Sequence, residues 1–109
     1  MTTSRDRQAC IDECLHCYRT CLGMASEHCL PAGGKHVEPE HFRLMLACAE
    51  ICRTSAHLML LGVPDHRQTC RACADICEAC AESCEAVGDM ETCAAECRRC
   101  AESCRAMAA

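Results

Sequence analysis

The hydrophobic and polar positions of this chain alternate with the period of an α-helix, and cysteine occupies most of the apolar positions. Between Cys70 and Cys84 successive cysteines lie 3, 4, 3 and 4 residues apart, and between Cys93 and Cys104 they lie 4, 3 and 4 residues apart. Alternating steps of three and four place side chains on one inward-facing stripe of a bundle helix. The Glu, Asp and Arg residues between them predict a solvated outer face. The pattern therefore predicts helices whose inner wall carries thiols.

Four helices are predicted from this periodicity and from the breakers between its segments, at about residues 4–28, 39–61, 66–87 and 90–107. Strand signals are missing, because no run alternates Val, Ile or Thr with polar residues. Helices of similar length with short connections favour an antiparallel up-down arrangement. We therefore predict an all-α fold, an antiparallel up-down four-helix bundle with a cysteine-lined core, formed by residues 1–109 as a single domain.

Local signals set the predicted helix ends. Pro39 suits the first turn of the second helix, and Gly62 ends that helix. Asp65 followed by Gln68 indicates a capping box at the start of the third helix. The fourth helix is expected to open at Asp89.

Fifteen of the 16 cysteines fall on the four predicted stripes, and Cys29 alone lies one residue off its stripe. The stripe cysteines are Cys10, Cys14, Cys17, Cys21, Cys48, Cys52, Cys70, Cys73, Cys77, Cys80, Cys84, Cys93, Cys97, Cys100 and Cys104. Disulfide pairing has no preference for a continuous helical stripe. The first residues contain no apolar segment of a secretory signal. We therefore expect a cytoplasmic protein whose dense thiols bind metal.

The chemistry of thiolates narrows the choice of metal. Soft thiolates select Cu(I), zinc or iron–sulfur clusters. Zinc prefers four ligands in a closed tetrahedron, whereas a long tube of evenly spaced thiols suits many two- or three-coordinate Cu(I) ions. A general thiolate buffer for zinc or cadmium remains the alternative. An iron–sulfur electron carrier is less favoured, because its cysteines sit in loops that end in Cys-Pro, and no cysteine here precedes proline.

Composition argues against several other function classes. The net charge is -5 without a basic run, which argues against a nucleic-acid partner. We identify no stretch of about 18 apolar residues, so no membrane span is expected. No acid–base constellation points to an enzyme.

Cysteine pairs at helical spacing on all four helices, from Cys10 to Cys104, resemble the bacterial copper storage proteins, and the missing export signal is similar to their cytosolic branch. The resemblance implies a preformed bundle that takes many Cu(I) ions down its centre. It also implies entry at one open end lined by His or Met, and assembly into homotetramers. This chain departs from the pattern with only Cys48 and Cys52 on the second stripe, which implies a smaller capacity.

The two ends of the predicted bundle differ. The histidine end, where the first helix ends and the second begins, collects Met24, His28, His41 and Met45, with Cys84, Met90 and Cys93 nearby. We expect copper to enter there through the first four of these residues, although the methionines also suit plain packing. The far end collects Leu58, Leu61, Val63 and Met107 as an apolar plug.

Four further residues have open roles. Cys29 fits either a ligand at the histidine end or an unused thiol, and His36 lies in the connection beyond it. His57 is expected to be solvated, and His66 is expected to be a surface residue of a first helical turn.

Overall fold

Four long helices form the fold. The computed structural model describes residues 3–109, and within them the long helices are α1 (Ser4–Met24), α2 (Pro39–Leu61), α3 (His66–Val87) and α4 (Glu91–Ala108), with no strand. Helix α1 packs against α2 and α4, and α3 packs against the same two helices. The helices therefore close a ring around one interior, in a body of 43 × 19 × 19 Å. The predicted all-α, up-down four-helix bundle with buried cysteines is confirmed.

A capping box exists in the chain, but not where it was predicted. At the start of α1 the Thr3 hydroxyl accepts a hydrogen bond from the Asp6 backbone N–H at 3.1 Å, and the Asp6 carboxylate accepts one from the Thr3 N–H at 3.0 Å. At the start of α3 the Asp65 side chain makes no such bond. There the Asp65 backbone carbonyl accepts from the Gln68 N–H at 3.2 Å, so a backbone turn replaces the predicted side-chain cap.

The last helix starts later than predicted because of the turn that joins α3 to α4. Gly88 and Asp89 both have positive φ, 89° and 57°, and the helix begins at Glu91 rather than at Asp89. Aspartate tolerates this left-handed region better than most residues with a side chain. The tight reversal turns the Met90 side chain into the bundle, where it is 2% exposed.

The first helix does not end at residue 28 as predicted. It passes into a π-helical segment, Ala25–Cys29, and then into one α-helical turn, Leu30–Ala32. The Leu30 N–H donates to the Ala25 carbonyl five residues back. Because a π turn takes up one extra residue, Cys29 rotates onto the inner wall and is fully buried. The expectation that Cys29 lies off the stripe is therefore wrong.

Small side chains let the helices approach one another. All 16 cysteines are buried and free. Alanines next to them on the inner faces are buried as well: Ala25, Ala49, Ala56, Ala74, Ala81, Ala94 and Ala101. Protonated thiols behave as small hydrophobic groups, so thiols and alanines together form an apolar core.

Three predictions of exposure are wrong. Leu61, expected in the apolar plug, is 62% exposed. His66, expected at the surface, is 8% exposed because it lies one turn before Cys70 on the inner stripe. Glu96, expected on the solvated face, is 1% exposed and contacts His16 and Arg99.

Helix α2 is the most apolar of the described helices. By length and composition alone, it is the one helix in residues 3–109 that could cross a membrane. Buried positions make up 39% of its apolar window. This finding runs against the expectation that no segment is apolar enough. In this fold the inner face of α2 carries His41, Met45, Cys48 and Cys52, all buried, so the helix forms one wall of the bundle.

Candidate metal centre

Thiols from all four helices contact one another along the bundle interior. The Cys21 sulfur lies 3.4 Å from that of Cys97 and 3.7 Å from that of Cys48. Further along, the Cys52 sulfur lies 3.5 Å from that of Cys77 and 3.7 Å from that of Cys100. Contacts between helices are thus as short as those within one helix, such as the 3.9 Å between Cys17 and Cys21. We call the 16 buried thiols the thiol column; Cys29, at one end of it, contacts His36, His41 and Met90 instead of another thiol.

Within the column, sulfur atoms gather into groups of four. In each group the sulfurs all lie within 4.8 Å of one another. The groups are Cys14, Cys73, Cys100 and Cys104; Cys17, Cys21, Cys48 and Cys97; and Cys17, Cys52, Cys77 and Cys100. Each group draws on at least three helices, and neighbouring groups share Cys17 or Cys100. The column is therefore a chain of overlapping sites rather than a set of separate ones.

The sulfur separations fit metal coordination and exclude disulfides. A disulfide requires a separation of about 2.05 Å, and the contacts between the column sulfurs span 3.4–4.0 Å. Sulfurs that share a metal at about 2.3 Å stand roughly 4 Å apart. Tertiary packing thus already holds the thiols near the spacing that a metal–thiolate cluster needs.

Met45 belongs to the column itself. Its thioether sulfur accepts hydrogen bonds from Cys84 at 3.5 Å, Cys80 at 3.6 Å and Cys93 at 4.0 Å. Met24, by contrast, is only half-buried and packs against the outside of the core. The two methionines that were predicted to lie together therefore occupy different environments.

At the histidine end, Cys29 is the centre of a mixed cluster. Its sulfur lies 3.9 Å from His41 Nε2, 4.0 Å from His36 Nδ1 and 3.9 Å from Met90 Sδ. The other ring nitrogen of His41, Nδ1, lies 2.7 Å from the Ser83 hydroxyl. A partner on one ring nitrogen fixes the orientation of the imidazole and presents the other nitrogen to a metal.

His28 completes the histidine end. Its ring meets that of His36 edge-on, with centroids 4.9 Å apart. Its Nε2 atom is buried without a hydrogen-bond partner, although the residue as a whole is half-buried. A buried, unpaired ring nitrogen is costly unless something binds it, so His28 offers a ready donor atom.

Burial sets the protonation of these groups. Burial lowers the pKa of His41, which keeps the imidazole neutral and its lone pair available. Burial raises the pKa of the Cys29 thiol. Hydrogen bonding with Cys10, together with burial, raises the pKa of Cys70 to about 12. These two thiols are protonated at neutral pH, so a metal that binds them must displace protons.

The far end is poorer in donor atoms. Met59 and Met107 are buried there, 1% and 3% exposed. His66 is the buried imidazole at this end among residues 3–109, and its Nδ1 atom has no hydrogen-bond partner. The last thiol contact on this side joins Cys10 and Cys104 at 4.0 Å.

Sequence reasoning missed part of the histidine end. His36 and Cys29 meet because the π segment and the following 3-10 turn fold the connection back, and no residue pattern signals such a segment. Ser83 gives no signal either, since it lies just off the stripe. The proximity of Met90 to this end followed from the topology of an up-down bundle and was predicted.

The comparisons with known proteins agree with this geometry. A family model described as copper storage protein matches residues 3–109. No protein of curated function matches the sequence.

Solved structures match this chain over nearly its whole length. The crystal structure of the Nmul_A1745 protein from Nitrosospira multiformis is 59% identical, covers 97% of each chain and superposes with a TM-score of 0.95. The Cu(I)-bound copper storage protein BsCsp3 is 36% identical over 95% of this chain and 99% of its own, with a TM-score of 0.87. Apo-Csp3, copper storage protein 3 from Bacillus subtilis, is 35% identical over 94% and 98%, with a TM-score of 0.83.

Proposed function

We propose that this chain, which belongs to the copper storage protein family, stores and buffers Cu(I) by binding many ions in its thiol column. The observation that carries the proposal is that all 16 cysteines are buried and unbridged in one continuous interior. A structure that superposes over nearly the whole chain, BsCsp3, is Cu(I)-bound. Storage requires many adjacent sites of similar chemistry, and the overlapping thiol groups supply them.

The overlap between thiol groups favours Cu(I) over zinc. A tetrahedral zinc site claims four ligands for itself. Because Cys17 and Cys100 each belong to two groups, neighbouring tetrahedral sites would compete for them. An ion that needs two or three thiolates, which can bridge to the next ion, uses the column fully. The soft thiolate set also selects Cu(I).

The proposed ligands are those expected from the sequence: the 16 cysteines, with His28, His41, Met24 and Met45 as weaker donors. Of these, Met24 has the least support, because it packs outside the core.

Copper is proposed to enter at the histidine end. A surface groove between α2 and α3 is lined by His41 and Ser83, and its charged residues are three carboxylates and one ammonium group: Glu38, Glu40, Glu82 and Lys35. Carboxylates attract a cation to the groove, and the neutral imidazole and thioether donors lie between it and the column. Such donors hold Cu(I) less firmly than thiolate, so an ion can move inward from them.

The decisive experiment is a titration of reduced, metal-free protein with Cu(I) against a competing chelator. We expect many Cu(I) ions per chain, a near-ultraviolet thiolate band without visible colour, and no displacement of bound Cu(I) by excess Zn(II). Zn(II) binding that resists Cu(I) would instead support the alternative of a zinc or cadmium buffer. Broad visible absorbance in protein purified from cells would support an iron–sulfur carrier.

The column is proposed to exist before metal arrives, because thiols and alanines already form an apolar core. Circular dichroism of reduced apo-protein should show a helical spectrum. A coil spectrum that becomes helical only with copper would contradict this part of the proposal. A single domain over residues 1–109 predicts one cooperative unfolding transition in the same experiment.

Assembly into a homotetramer is proposed from exposed leucines on the outer faces of α1 and α2. Leu15 and Leu22 on α1, and Leu46, Leu60 and Leu61 on α2, are all at least 36% exposed. Exposed apolar faces of this kind mark interfaces. Light scattering should give the mass of four chains, and Leu22→Glu with Leu46→Glu should lower it. Ala95→Glu on the exposed face of α4 is the matched control.

The protein is proposed to be non-enzymatic and cytoplasmic. Free thiols at this density persist in a reducing compartment, and the storage role needs no catalytic group. Fractionation of cells that express the full chain should recover it in the cytoplasmic fraction, and recovery in the membrane fraction would contradict the proposal.

A further inference from the structure

A second cluster of metal-ligating side chains lies outside the thiol column, between α1 and α4. Ligand atoms of Glu13, His16 and Glu96 all lie within 4.8 Å of one another. Glu13 and His16 are three residues apart on α1 and share one face of it, while Glu96 comes from α4. His16 Nδ1 lies 2.8 Å from Glu96 Oε1, close enough for both atoms to bind one ion.

The state of Glu96 indicates that the cluster is incomplete as it stands. Glu96 is 1% exposed, and its Oε1 atom accepts hydrogen bonds from Arg99 Nη2 at 2.9 Å and Nε at 3.2 Å. Its other oxygen, Oε2, is buried and has no hydrogen-bond partner at normal bonding distance, and burial together with the adjacent Glu96 raises the pKa of the Glu13 carboxyl to about 7. A buried carboxylate oxygen without a partner is costly. A cation bound at Oε2 would remove that cost.

We propose that Glu13, His16 and Glu96 bind one divalent cation of the zinc class and thereby cross-link the first and last helices of the bundle. One imidazole and two carboxylates are a known ligand set for such ions, with water in the remaining positions. His16 is 60% exposed, so the ion reaches the site directly from solvent.

The donor atoms separate this site from the copper column. Carboxylate and imidazole favour borderline and hard cations, whereas Cu(I) prefers thiolate. The inference therefore does not depend on copper storage: a chain whose column bound another metal would still hold these three side chains together between α1 and α4, outside the column.

The test uses the full chain with its thiols occupied by Cu(I), titrated with Zn²⁺ against a chromophoric chelator. We expect one Zn²⁺ per chain in addition to the copper. His16→Gln and Glu13→Gln should each weaken Zn²⁺ binding at least about tenfold, since each removes one ligand. His57→Gln changes an exposed histidine outside the cluster and should leave Zn²⁺ binding unchanged.

A second readout is independent of copper. Mn²⁺ favours carboxylate over thiolate, so its binding to reduced, metal-free protein should raise the unfolding temperature of the unaltered chain and of His57→Gln, but not that of His16→Gln. If the unaltered chain binds neither ion, or if the His16 and Glu13 variants bind both as tightly as it does, the cluster is only a structural ion pair and the proposal fails. Failure of copper loading alone would leave the Mn²⁺ result intact.

Discussion

The two ends of the bundle have similar thiol contacts but different caps. At the histidine end, Cys29 is surrounded by two imidazole nitrogens and a thioether within 4.0 Å. At the far end, Met59 and Met107 close the interior, and His66 is the buried imidazole among the described residues. Among the described residues, imidazole nitrogens lie within hydrogen-bonding distance of a thiol only at the histidine end, where His36 and His41 both contact Cys29. The column is therefore directional although its thiols repeat regularly.

The largest effect should come from interrupting the column between its ends. Replacing Cys17, Cys52, Cys77 and Cys100 with alanine removes 4 of 16 thiols and the residues shared between groups. We expect Cu(I) capacity to fall by about a quarter at equilibrium, and by more at short times because ions no longer pass to the far end. Titration and stopped-flow loading measure the two quantities, and circular dichroism checks the fold. Unchanged capacity would mean that the thiols are not the store.

Acidity should weaken copper binding at both ends of the column. Burial raises the pKa of Cys29 at one end, and the pKa of Cys70 near the other is raised to about 12. Both thiols are protonated at neutral pH, so binding releases protons and the affinity rises with pH. The affinity should change about tenfold per pH unit for each proton displaced. Chelator competition at several pH values measures the slope, and a flat profile would show that the ions do not displace thiol protons.

Removing imidazoles at each end in turn should show, from the rate of Cu(I) uptake, which end admits copper. His28→Ala combined with His41→Ala should slow Cu(I) uptake by roughly tenfold, the size of effect seen when a supporting ligand is lost. The final stoichiometry should fall by at most the ions held at that end. His66→Ala, the matched variant at the far end, should load at the rate of the unaltered protein. Equal slowing by both variants would refute entry at a single end.

A smaller effect is expected from Met45→Leu. Leucine nearly conserves the volume, so the stability of the apo-protein should change by less than about 1.5 kcal/mol. The sulfur that contacts Cys80, Cys84 and Cys93 is lost, however. Cu(I) ions should therefore move more slowly from the donors at the histidine end to the thiols of the central column. Met59→Leu at the far end is the control, and identical loading of the two variants would make Met45 a packing residue only.

The smallest effect is expected from deleting Ser26, an exposed residue of the π segment. Without its extra residue the segment should become regular α-helix, and Cys29 should stay on the inner wall because it then follows Cys21 by seven positions. Copper capacity should be unchanged. Loss of the ion at Cys29 would show that the π geometry itself positions the thiol.

Periodicity was sufficient to predict the bundle. Steps of three and four residues bring side chains to one face of any α-helix, so the burial of Cys70, Cys84 or Cys104 required no tertiary information. The same rule placed His41, Met45 and Met59 on the inner face of α2, where the structure has them. The difference between the ends followed in outline from the order of helices in an up-down topology.

Tertiary packing settled what local rules leave open. The π segment at Ala25–Cys29 adds one residue to a turn, and this rotates Cys29 inward against the heptad count. Glu96 is buried because α1 brings His16 against it, a contact between residues 80 positions apart in the chain. The sharing of Cys17 and Cys100 between thiol groups likewise depends on distances between helices. Sequence periodicity acts within one helix, whereas register, rotation and the neighbours of a side chain depend on how separate helices meet, and only the folded chain defines those.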